Sequence, residues 1–68
     1  MAHKYKIGQR IYTPLGPGVI DVLPYNEESD RYMVWLDKPY YPLNGPHLSH
    51  TLVIEENKIS KTPIPITN

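Results

Sequence analysis

The chain has 68 residues, no cysteine, and seven basic side chains balanced by seven acidic ones. A chain this short buries only about 60% of its unfolded surface, so one small domain of marginal stability is expected, with no disulfide or thiolate metal site. Zero net charge argues against binding driven mainly by phosphate neutralisation, and no apolar run approaches the roughly 18 residues of a membrane helix.

The opening "MAHKYKIG" lacks the apolar core of a signal peptide, so a cytoplasmic setting is expected. Eight prolines and four glycines leave no room for a long helix. Five short strands are predicted instead. The first runs from Gln9 to Thr13, with Ile7 and Ile11 facing one way. Thr13-Pro14-Leu15-Gly16 suits a type I turn, and Pro17-Gly18 suits the centre of a type II turn. The second strand is Val19 to Leu23, and "NEESD" (26–30) is the polar tip that follows. The third, "RYMVWLD", alternates: Tyr32, Val34 and Leu36 face in, Met33 and Trp35 face out. Residues 38–50, "KPYYPLNGPHLSH", form a Pro-rich loop longer than a connection requires, and loops of that length usually carry function. The fourth strand spans Thr51 to Ile54, "EENKIS" reads as one helical turn with Ile59 tucked inward, and the fifth lies near Lys61 to Ile64. The expected architecture is all-β: a five-stranded barrel in a single domain, 1–68, with its core in 5–64 and a tail at 65–68.

"KIGQRIYTPLGPGVIDVL" followed by "RYMVWLD" resembles the first three strands of small SH3-like barrels, among them KOW-type modules and the RNA-polymerase-interacting domain of CarD-type regulators. Small phage SH3-like proteins share the same style of opening. The residues that carry the resemblance are Gly8, Ile11, Gly16, Gly18, Val19, Ile20, Tyr32, Val34 and Leu36, within residues 6–37. The loop at 38–50 is longer and more aromatic than those families have. The resemblance implies an SH3-like barrel with one helical turn before its last strand. By analogy of fold it implies an accessory or regulatory factor, phage-encoded, that engages a host polymerase or a defence protein.

Sites of chemistry are sparse. "GPGVID" has neither the lysine nor the following helix of a phosphate loop, and Pro17 removes one N–H that could bind an anion. His47 and His50 lie three apart without cysteine or a close carboxylate, so no metal or other cofactor is expected. Ser29, Ser49 and Ser60 lack a nucleophile motif, and Glu27, Glu28 and Asp30 sit together on a loop tip. The chain is read as a non-enzyme with no catalytic residue.

Six tyrosines and one tryptophan carry the functional interest. With Ile11 inward, Arg10 and Tyr12 face outward beside Met33 and Trp35; Val53 joins them if Leu52 and Ile54 are buried. Trp and Tyr dominate interface hot spots, so a protein partner is expected on Tyr12, Met33, Trp35, Tyr40 and Tyr41, with Arg10 and His50 at the rim. The competing expectation is that the 38–50 loop folds back over Trp35 as a second small core. Two other partner classes use the same residues. Bases of a nucleic acid could stack on the aromatics while Lys4, Lys6, Arg10 and Arg31 track phosphates. A small ligand could enter a pocket between subunits of a homo-oligomer, beside His47 and His50.

Overall fold

The computed structural model describes residues 3–43 and 45–64; the tail expected at 65–68 lies outside them. Four strands, β1 (Arg10–Thr13), β2 (Gly16–Val22), β3 (Arg31–Tyr40) and β4 (Ser49–Glu55), form one antiparallel sheet in the order β1-β2-β3-β4. A single 3-10 turn, η1 (Glu56–Lys58), follows. The protein is mostly β, as expected, and among the described residues the sheet is open and has four strands.

The expected fifth strand contributes one bridge. Tyr12 and Ser60 exchange both backbone hydrogen bonds, at 2.8 and 2.9 Å. The pairing stops there for two local reasons. The Ser60 hydroxyl accepts the Thr62 N–H at 3.1 Å, which bends the chain away from β1, and Pro63 has no N–H to offer.

Period-two alternation on β3 puts Tyr32, Val34 and Leu36 in the core. Ile11, Ile20, Ile54, Ile59 and Tyr5 complete it. Ile59 is inward as expected. Tyr5 is held by its hydroxyl, which donates to the Ile59 carbonyl at 3.0 Å, and by edge-on contact with Tyr32 at 5.6 Å. Ile7 does not share the inward face of Ile11. It is 65% exposed, because Lys6 to Gln9 form a turn through Gly8 at φ 86° rather than an extension of β1.

The β1–β2 turn falls on Pro14 and Leu15. Buried Thr13 fastens it, accepting the Leu15 N–H at 3.1 Å and donating to the Gly16 carbonyl at 2.9 Å. Pro17-Gly18 is not a turn. Both residues lie within β2, and the left-handed φ belongs to Gly16, at 121°. Gly18 is required by a close approach instead: a Cβ there would meet the Trp35 carbonyl oxygen at 2.6 Å and Val34 Cγ1 at 3.0 Å.

The long loop is shorter than predicted. β3 runs on to Tyr40 and β4 starts at Ser49. Their pairing is irregular at that end: Trp35 pairs with Thr51 and Tyr40 with Ser49, so four residues of β3 pass against one of β4.

Candidate interaction surface

The outer face of the sheet is read from the register. One row crosses it as Arg10, Val19, Trp35 and Thr51; the next contains Val22, Met33 and Val53. Trp35 is 48% exposed and Val53 55%, while Met33 is half-buried between Val22 and Val53. This is a contiguous apolar strip across the middle of the sheet.

One side of Trp35 is covered, by His50. The two rings stack with centroids 4.6 Å apart and planes 8° from parallel. His50 is fixed by a 2.7 Å hydrogen bond between its Nδ1 and the Leu36 carbonyl. A carbonyl only accepts, so Nδ1 carries the proton and Nε2 remains as the second polar position of the ring. The covering group is the last residue of the predicted 38–50 segment, which the structure places in β4.

The strip ends in a clamp. The Arg10 guanidinium reaches over β2 and grips both carboxylate oxygens of Asp37, with its NH1 group 2.9 Å from one of them. That bond, opposed in part by desolvation, holds the guanidinium above its ordinary pKa; Tyr12 adds a smaller push in the same direction. Tyr12 itself is half-buried and lines an open apolar cleft of about 550 Å³ with Pro14, Leu15, Pro17, Pro63 and Ile64.

Five of the seven predicted residues, Arg10, Tyr12, Met33, Trp35 and His50, therefore sit on three strands of the sheet, β1, β3 and β4. Tyr41 is 69% exposed in the segment after β3. Tyr40 belongs elsewhere: its ring packs against the core and its hydroxyl donates to the Thr51 carbonyl at 2.7 Å. Asp37, Val19 and Val22 were missed. Asp37 was legible as the next outward position after Trp35, but nothing in its spacing from Arg10 signals the clamp.

The basic side chains offered for phosphates are divided. Arg10 is engaged with Asp37, and Arg31 lies 4.0 Å from Glu55. Lys4 and Lys6 line a separate open cleft with Lys61, at the Lys6–Gln9 turn. Among the described residues no three His, Asp or Glu side chains are grouped to hold a metal, and no helix is long and apolar enough to cross a membrane. In comparison with known proteins, the chain matches no family model, no curated protein and no solved structure.

Proposed function

We propose that this chain is a non-enzymatic binding module of SH3-like type that engages a protein partner through the outer face of its sheet. The barrel part of the reading is supported by the Tyr12–Ser60 bridge, which returns the chain after η1 to the free side of β1. A five-strand meander makes one of its contacts in that place.

The observation that carries the function is the half-exposed Trp35. A tryptophan left open on the sheet face, stacked on His50 and continuous with Met33, Val22 and Val53, is a large apolar surface for a 68-residue chain to leave in water. Its surroundings favour a protein. The strip is apolar at the centre and has a charged pair, Arg10–Asp37, at its end, like the core and rim of an interface.

The test compares affinity capture by the wild type, Trp35→Ala and Tyr25→Ala. Tyr25 is 90% exposed on the loop between β2 and β3 and serves as an exposed-aromatic control. Trp35→Ala is expected to weaken partner binding by about 2 kcal/mol or more, roughly 30-fold, with an unchanged far-UV spectrum. A partner held equally by all three proteins overturns the reading.

A further inference from the structure

Among the described residues β4 has one neighbour. Among the described residues its other side receives no strand and no backbone hydrogen bond from another segment. Such an edge is a template for pairing with a second chain. Which residues present that template follows from the ladder. The Ile20 N–H donates to the Gln9 carbonyl and the Ile20 carbonyl accepts from Gly8, so Ile20 turns its polar groups toward β1. Antiparallel pairs alternate, so its partner Val34 turns away from β2 toward β4, and Leu52 opposite turns back toward β3. The neighbours of Leu52 must do the reverse. Thr51 and Val53, and Glu55 beyond, face their N–H and C=O groups to the free side.

Thr51 is closed on both counts. Its N–H donates to the Ser49 hydroxyl at 3.1 Å, and its carbonyl accepts the Tyr40 hydroxyl at 2.7 Å. Tyr40 gets there because its ring packs against the core, on the inner side of the sheet, placing the hydroxyl at the Thr51 carbonyl.

We propose that Tyr40 and Ser49 are an edge guard that keeps β4 from pairing with the β4 strand of a second copy of this chain. A symmetric antiparallel pair of edges centred on Val53 would join outward-facing residues: Val53 to Val53, and Thr51 to Glu55 on either side. With its N–H spent and its carbonyl already engaged, Thr51 weakens both flanking pairs and leaves only the central one intact. One pair does not make a sheet. The guard leaves the outer face of the sheet untouched, so it stands whether or not Trp35 is an interface.

Three measurements test it. In the wild type, the Thr51 amide is expected to exchange with solvent at least tenfold more slowly than the Val53 amide; equal exchange overturns the proposal. The second is sedimentation equilibrium of Tyr40→Phe, Ser49→Ala and the double variant. Tyr40→Phe keeps the packed ring and removes only the hydroxyl. Across a range in which the wild type stays at 7.9 kDa, the double variant is expected to approach twice that mass, with Tyr40→Phe partway. An unchanged mass in folded variants overturns the proposal. Third, the Val53 amide is expected to become protected as the double variant associates. Association that leaves Val53 exchanging as in the monomer means another surface is responsible, and the proposal fails. Should the double variant not fold, Tyr40→Phe and the wild-type exchange ratio decide.

Discussion

The two halves of β3 are held in different ways. Residues 31–35 are paired to β4 residue by residue, and the Met33–Leu36 stretch is paired to β2 as well. Residues 36–40 lose that regularity, and single side-chain bonds take over. His50 fastens the Leu36 carbonyl, Arg10 fastens Asp37, and Tyr40 fastens Thr51. A ladder spreads its strength over many equivalent bonds, whereas a side-chain fastening depends on one atom. The first half should therefore respond to lost volume, and the second to lost polar atoms.

Truncation at Tyr32 is the severest test of that contrast. Its side chain is fully buried between Tyr5 and the Glu56 carboxylate, to which its hydroxyl donates. Tyr32→Ala is expected to cost about 3–5 kcal/mol in urea unfolding, enough to abolish the fold of a domain this small. In the second half, His50→Phe keeps a ring over Trp35 but deletes the bond to Leu36. It is expected to cost about 1 kcal/mol, with indole fluorescence little changed, while His50→Ala changes both. If His50→Phe is silent in stability, the irregular half does not depend on that fastening.

A third effect is read as a change with pH, in alkali. Burial first, and the hydrogen bond to Glu56 second, push the Tyr32 hydroxyl from its ordinary value of 10.0 up to about 12. The folded state holds this proton more tightly than the unfolded one. The associated stability is complete below pH 10 and declines as pH rises toward 12. Tyr32→Phe is expected to flatten the decline in that window, read by urea midpoints measured at each pH.

The alternation of "RYMVWLD" was enough to predict both the core residues of β3 and the outward Trp35, because strand periodicity is a backbone property. The inward Ile59 and the helical turn before it were legible for a similar reason: a polar run closed by one aliphatic residue. Gly18 was misread, since Pro-Gly in a linear sequence signals a turn, while the true constraint is the Trp35 carbonyl brought close by β3, seventeen positions away. The role of Tyr40 was invisible for the same cause. Its place depends on a four-against-one irregularity across two strands, and no local pattern announces which strand will bulge. Tyr5, among the most buried side chains, sits in a stretch of lysines and polar residues whose composition reads as surface.

The Tyr12–Ser60 bridge also sets an order of assembly. Each strand of the sheet pairs with the next one in the chain, so the sheet can zip up through short loops. The bridge and the bond from Tyr5 to Ile59 are different: they join segments about fifty residues apart, and a loop of that size closes only at an entropic cost. They are worth making only once the sheet stands. The last step of folding is then a latch thrown across a finished surface, and the first step of unfolding is its release, which frees the outer side of β1 while the other strands are still paired.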